Sequence, residues 1–130
     1  MVVDTSALAA ILFDEPERER FSAVIGAAPD CLISAATVLE LKIVLFNRQG
    51  PDTVAKVDSL LLQGEIRIEP VTADTAELAF LAFRRFGKGS GHPAGLNYGD
   101  CFSYALAREK SARLLFKGDD FIHTDIEAAI

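Results

Sequence analysis

The chain is poor in the residues that staple small domains together. Cys31 and Cys101 are its only cysteines, and His92 and His123 its only histidines. Two cysteines cannot build a disulfide framework, so a reduced, cytoplasmic setting is expected. No stretch approaches the ~18 apolar residues that cross a bilayer, so no membrane association is expected. No basic segment precedes the first apolar residues, and Asp4 interrupts them at once, which argues against a signal peptide. Repeats and Pro/Gly/Ser tracts are missing, which excludes solenoid and fibrous classes. Positive charge is scarce too: 13 Lys and Arg against 19 Asp and Glu leave a net charge of −6. A general nucleic-acid coat is thereby excluded, because such binding runs on phosphate neutralisation by cations. An acidic chain can still act on RNA or DNA where its carboxylates hold divalent cations. There is also no Gly-rich phosphate loop, no Ser-His-Asp order and no zinc spacing.

What is present is apolar. Half of the 130 residues are hydrophobic, enough for one folded domain spanning the whole chain, 1–130, and too many for disorder. The pattern predicts strands at 1–4, 30–34, 66–71 and 114–116. Helices are predicted over 7–13, from Glu15 to about Gly26, and over 35–47, 53–63, 72–86 and 97–110. The expected breaks are Gly50-Pro51-Asp52, Gly64, Gly87 and the loop Lys88–Gly95. Short apolar strands separated by helices imply an α/β fold with a parallel sheet covered on both faces. Ligands of such sheets sit beyond the carboxyl ends of the strands.

Four acidic stations stand out. Asp4 follows the first apolar strand, where it would also serve as a helix cap. Glu40 lies within Val38-Leu39-Glu40-Leu41, and its helical neighbours Ala36, Thr37, Ile43 and Val44 cannot neutralise it. Asp100 stands three residues after Asn97 at a helix start, an arrangement that also suits capping. Asp119 and Asp120 follow the last strand in a turn containing Gly118. Carboxylates converging without basic partners suit Mg²⁺, with Mn²⁺ as a substitute, and such an acidic cup supports phosphodiester hydrolysis.

The opening Val2-Val3-Asp4-Thr5-Ser6, the segment Leu39-Glu40-Leu41, the run from Leu96 through Asn97-Tyr98-Gly99-Asp100 to Ala107, and the stretch Leu114–Asp125 together resemble the motifs of PIN-domain nucleases. Their order and spacing fit over essentially the whole chain. The likeness is greatest to the VapC toxins of toxin–antitoxin pairs. That resemblance implies a three-layer α/β/α fold with a short, mainly parallel sheet. It also implies a Mg²⁺-dependent endoribonuclease, usually dimeric, restrained by a VapB-type antitoxin. By resemblance the catalytic quartet is Asp4, Glu40, Asp100 and Asp119, with Asp4 and Asp100 as metal ligands. Many relatives carry Thr-x-Asp after the last strand, where this chain reads Phe116-Lys117-Gly118. The fourth acid is therefore expected one residue later, at Asp119, holding a second metal or the attacking water. Asp120 is expected to hydrogen-bond the local backbone, and Phe121 to anchor the turn in the core.

Thr5, Ser6 and Asn97 are expected as supporting or capping groups. Arg84, Arg85, Lys88 and His92 form a local basic cluster suited to phosphate positioning, or to balancing a helix dipole. The segments 7–13 and 35–46 carry apolar surface expected to face a second copy of the chain and an antitoxin. Two other readings compete with the nuclease. One is a non-catalytic PIN-like module that binds RNA or a partner. The other is a phosphotransfer domain with Asp4 as nucleophile, which lacks a second nearby aspartate.

Overall fold

The computed structural model describes all residues, Met1–Ile130. Four short strands, β1 (Val2–Val3), β2 (Cys31–Ser34), β3 (Ile66–Glu69) and β4 (Leu114–Leu115), pair in parallel in the order β3-β2-β1-β4. Six helices surround them: α1 (Thr5–Leu12), α2 (Arg18–Ala27), α3 (Ala35–Gln49), α4 (Ala55–Gln63), α5 (Ala73–Phe86) and α6 (Tyr98–Glu109). No helix is long and apolar enough to cross a membrane.

Strand periodicity explains the layering. Successive side chains of a strand face opposite sides of its sheet. Val3, Ile33 and Leu115 enter one core with residues of α1, α2, α3 and α4. Val2, Leu32 and Leu114 enter a second core with residues of α5 and α6. Every residue of β1, β2 and β4 is buried, as a sheet covered on both faces requires. The result is the expected three-layer α/β/α arrangement.

The chain winds outward from β1 through β2 to β3, then returns to place β4 on the other side of β1. Chain direction across the sheet therefore reverses at β1, and a crevice opens at the carboxyl ends of β1 and β4. The backbone N–H of Asp4 bonds the Leu115 carbonyl at 2.9 Å, joining the two strand ends there.

Several boundaries differ from those expected. Helix α1 begins at Thr5, two residues early, because Asp4 itself caps it by accepting from the Ser6 N–H. Helix α2 begins at Arg18 rather than Glu15, and Glu17 makes no side-chain cap bond there. The expected helix at 53–63 is a 3₁₀ turn at Pro51–Thr53 followed by α4, with Pro51 starting the turn. Strand β3 ends at Glu69 because Pro70 has no N–H to continue the ladder. β3 is also an edge strand, so Ile66 is buried while Ile68 stays 48% exposed.

The expected apolar partner surface divides. Ala7, Leu8 and Ala10 of α1 are absorbed by the core, because α1 packs between α2 and α3. Helix α3 keeps Leu39, Ile43 and Phe46 at least half exposed. A second exposed apolar set lies on α5 and the start of α6: Phe80, Leu81, Phe83 and Tyr98.

Candidate active site at the carboxyl ends of β1 and β4

Asp4 leaves β1 directly into α1, and its carboxylate is buried. Burial is tolerated because hydroxyl and amide donors satisfy it. Ser103 Oγ donates to Oδ1 at 2.6 Å, and Ser6 donates to Oδ2 through both its N–H (2.9 Å) and its Oγ (2.6 Å). The Ser6 hydroxyl in turn accepts the Lys117 backbone N–H at 2.9 Å, which ties the end of β4 to the same carboxylate. Thr37 Oγ1 lies 3.3 Å from Ser103 Oγ and extends the network into α3.

Glu40 projects from α3 toward the first turns of α1 and α6. The Thr5 hydroxyl donates to its Oε2. Thr5 is thus a positioning group for Glu40 and makes no cap bond. On the other side stands Gly99, where any Cβ would overlap the Glu40 carboxylate. Glycine at this position is what lets the positive end of the α6 dipole approach Glu40.

Asp100 occupies the first turn of α6 within a reciprocal capping box. The Asn97 N–H donates to Asp100 Oδ2 at 2.8 Å, and the Asp100 N–H donates to Asn97 Oδ1 at 2.9 Å. Burial pushes the Asp100 carboxyl up to about 7, against the lowering pull of the Asn97 N–H; the charges of Asp4, Asp120 and Glu40 add to the rise. No cation appears among the groups acting on it. Lys117 does not offset the site either, because its Nζ bonds Glu15 at 2.6 Å and Glu17 at 2.9 Å.

Three acids from three other elements therefore act on Asp100 of α6: Asp4 after β1, Glu40 on α3 and Asp120 after β4. Asp120, expected to serve the local backbone, is the member of the Asp119-Asp120 pair whose charge Asp100 feels. Asp119 instead accepts the Ile122 N–H through its backbone carbonyl at 3.2 Å. Gly118 takes φ 96° and Phe121 is buried, so the turn has the pivot and the anchor expected of it.

The donors are all hard oxygens, which suits Mg²⁺ or Mn²⁺. No three acidic, histidine or cysteine side chains already close around a common point. Of the roughly four acceptor positions on a carboxylate, Asp4 uses three and Asp100 uses one. Asp100 has the larger free capacity.

Ser103 and Thr37 do not stand out in the sequence. The available signal for Ser103 is its place three residues after Asp100, on the same face of α6. Cys101 is buried, and burial pushes its thiol up to about 11, so it acts as a packing residue. Of the basic cluster, only Arg84 and Arg85 line a common cavity. His92 Nδ1 accepts the Ala94 N–H at 3.1 Å and its ring meets Phe86 edge-on, so it braces the loop.

Comparison with known proteins gives the family. The profile of the PIN domain family matches residues 1–127. The ribonuclease VapC28 of Mycobacterium tuberculosis is 46% identical over 130 residues, covering all of this chain and 98% of that protein. The ribonuclease VapC30 of the same species is 49% identical over 126 residues, covering 97% and 95% of the two chains. Among solved structures, the sarcin–ricin loop cleaving toxin VapC20 of M. tuberculosis superposes with a TM-score of 0.78 at 23% identity, over 96% of this chain and 95% of that one. A toxin–antitoxin complex from Klebsiella pneumoniae gives a TM-score of 0.71 at 17% identity, over 99% and 97% of the two chains.

Proposed function

The chain belongs to the PIN-domain family and, within it, to the VapC ribonucleases, and from that premise we propose that it is a divalent-metal-dependent endoribonuclease acting as the toxin of a toxin–antitoxin pair. The observation that carries the reading is the placement of Asp4, Glu40 and Asp120, from three other elements, close enough to act on the Asp100 carboxyl. Such a cluster is costly for the fold alone and useful to a reaction that needs a cation beside a phosphate.

In this reading Asp100 is the main metal ligand, and Asp4 joins it through its remaining acceptor position. A bound Mg²⁺ or Mn²⁺ supplies water activation and neutralises the charge that develops on the scissile phosphate. The chain's own residues do the rest. Ser6 and Ser103 hold the Asp4 carboxylate in place by donating to it. Thr5 and Gly99 fix Glu40 at the rim, where it orients water. Asn97 orients Asp100 through the capping box. Asp120 takes the fourth station, with Asp119 beside it as the alternative.

We further infer an RNA substrate, a homodimer in solution and an antitoxin segment covering the exposed Leu39, Ile43 and Phe46 of α3. An antitoxin arginine placed among the acids would satisfy them in place of the metal.

The test incubates structured RNA with the chain in Mg²⁺, in Mn²⁺ and in EDTA, with Asp100→Asn as the control. New cleavage products that need metal and need Asp100 support the reading. Cleavage that persists in EDTA overturns it. Binding of RNA without cleavage under any metal moves the chain to the non-catalytic module. Light scattering across micromolar concentrations tests the dimer.

A further inference from the structure

A cavity of ≈ 390 Å³ lies on the flank where α5 and α6 pack, away from the acids. Arg84 and Arg85 reach it from the last turn of α5, and Arg108 from the last turn of α6. Leu78, Leu81 and Tyr104 form its apolar wall. Arg113 continues the basic surface in an adjoining cavity that shares Arg108 with the first. Four of the chain's 13 basic residues thus gather on one flank of a protein whose net charge is −6.

The arginines are not equivalent. Arg85 is clamped: it bonds Asp125 Oδ2 at 3.0 Å and stacks 4.5 Å over the Phe86 ring. Asp125 is held in turn by the Tyr104 hydroxyl at 2.6 Å. Each oxygen of Asp125 thereby holds one bond. Arg84 and Arg108 make no ion pair, and neither does Arg113 in the adjoining cavity, whereas Arg85 does. Arg108 also lies near the Asp125 charge and beside Glu127, yet Arg84 and Arg108 keep their N–H donors free of a direct ion pair and can offer them to phosphate oxygens. The apolar wall offers a surface to the sugar or base attached to that phosphate.

We propose that Arg84 and Arg108, braced by the Arg85–Asp125–Tyr104 clamp, form a second RNA contact, a phosphate-binding exosite on the α5–α6 flank that holds the substrate backbone outside the acidic cup. The inference rests on the ribonuclease reading and deepens it. An acidic cup repels RNA until cations enter it, so anchoring must come from another surface. Along α6, Arg108 stands eight residues beyond Asp100, roughly 12 Å at the rise of an α-helix. A strand that turns from the cup onto the flank would span that rise.

The experiment uses the full chain carrying Asp100→Asn, so that RNA is not consumed, and measures binding of a fluorescein-labelled single-stranded RNA by anisotropy over a range of KCl. Arg84→Gln and Arg108→Gln are added singly and together, with Lys56→Gln as a distant control, and melting temperatures confirm folding. The double variant should bind about ten-fold more weakly at low salt, and its plot of log K against log[KCl] should flatten by roughly 0.7 for each phosphate that is no longer neutralised. The Lys56 variant should match its parent. Unchanged affinity and slope in the double variant overturn the exosite. Inorganic phosphate and an oligoglutamate peptide are run as competitors. Displacement of RNA by phosphate only at concentrations far above that of the RNA supports a backbone site. Tight binding of free phosphate or of the acidic peptide, with the RNA slope unmoved, assigns the pocket to a small anion or a protein partner and overturns the proposal. Arginine-dependent RNA binding in a chain whose wild type never cleaves RNA keeps the exosite and removes only the nuclease reading.

Discussion

The two ends of α6 carry opposite chemistry. Its first turn holds Asp100, with Gly99 pressed against Glu40; its last turn holds Arg108 beside a cluster of guanidiniums. The helix dipole favours this polarity, anions at the start and cations at the end, but the dipole alone does not account for how each end is finished. At the acidic end the charges are left to repel one another, and Asp100 is pushed up to about 7. At the basic end Arg85 bonds Asp125, and Arg84 and Arg108 make no direct ion pair. The two ends therefore favour opposite charges, which in the readings proposed above are a cation at the first turn and a phosphate at the last.

The largest expected effect breaks the acidic end. Asp100→Asn should lower cleavage on the order of 10²–10³-fold, the scale of losing one preorganised electrostatic group. Asp4→Ala should lower it comparably and also destabilise the fold, because Ser6 and Ser103 lose a buried acceptor at about 1–3 kcal/mol. Cleavage rates per folded molecule together with melting curves separate the two. Equal stability of both variants would mean that the Asp4 network contributes little to the fold.

Gly99→Ala comes next. Its Cβ overlaps the Glu40 carboxylate, so Glu40 or the start of α6 must move. We expect about ten-fold slower cleavage and a loss of about 1–3 kcal/mol, the usual cost of overpacking. An unaffected rate would remove Glu40 from the reaction. At the neighbouring station, Asp120→Asn should slow cleavage about ten-fold, on the scale of ~1.4 kcal/mol, and more than Asp119→Asn. The reverse order would return the fourth site to Asp119.

The pH dependence of stability sharpens the same contrast. The Asp100 carboxyl titrates near 7 in the folded chain and near 3.8 when unfolded. Between those values the folded state binds the extra proton, so this group's contribution is complete below about pH 4 and is lost as pH rises through 7. The metal-free chain should therefore melt progressively lower, relative to Asp100→Asn, from pH 4 to pH 7, and the gap should level off above that. Mn²⁺ above pH 7 should restore the wild type and leave the variant unmoved. A gap that stays constant with pH would show that Asp100 is not the shifted group.

Much of this arrangement was legible in the sequence because it depends on local rules. Apolar strands followed by capping residues placed Asp4 and Asn97 at helix starts, and an unpaired glutamate within apolar neighbours marked Glu40. What the sequence did not disclose depends on tertiary placement. Which of Asp119 and Asp120 acts on Asp100 depends on how the turn after β4 lies against the start of α6. The role of Ser103 depends on α6 crossing the end of β1. Arg108 is 24 positions from Arg84, so only the packing of α5 on α6 brings them to one cavity, while Lys88 and His92, adjacent in sequence, lie outside it.

The smallest effect concerns the support of the basic end. Tyr104 is buried, its hydroxyl donates to Asp125, and burial together with that bond pushes the phenol up to about 12. Tyr104→Phe keeps the ring against Phe86 and removes only the hydroxyl. A bond to a charged acceptor contributes about 1.5–3 kcal/mol. Asp125 retains Arg85 and remains 37% exposed, so water can replace part of that bond, and a net cost of about 1 kcal/mol is expected. In a chain of this size that lowers the melting temperature by about 3–5 °C. Cleavage of a short RNA should stay within two-fold of wild type, because nothing among the acids moves. A freed Asp125 is able to swing toward Arg108, however, and would then neutralise a guanidinium that the exosite needs. RNA affinity at low salt should accordingly fall by a few-fold while the catalytic rate at saturating RNA holds. A matching fall in that rate would show that the two ends of α6 are coupled through the helix and are not independent sites.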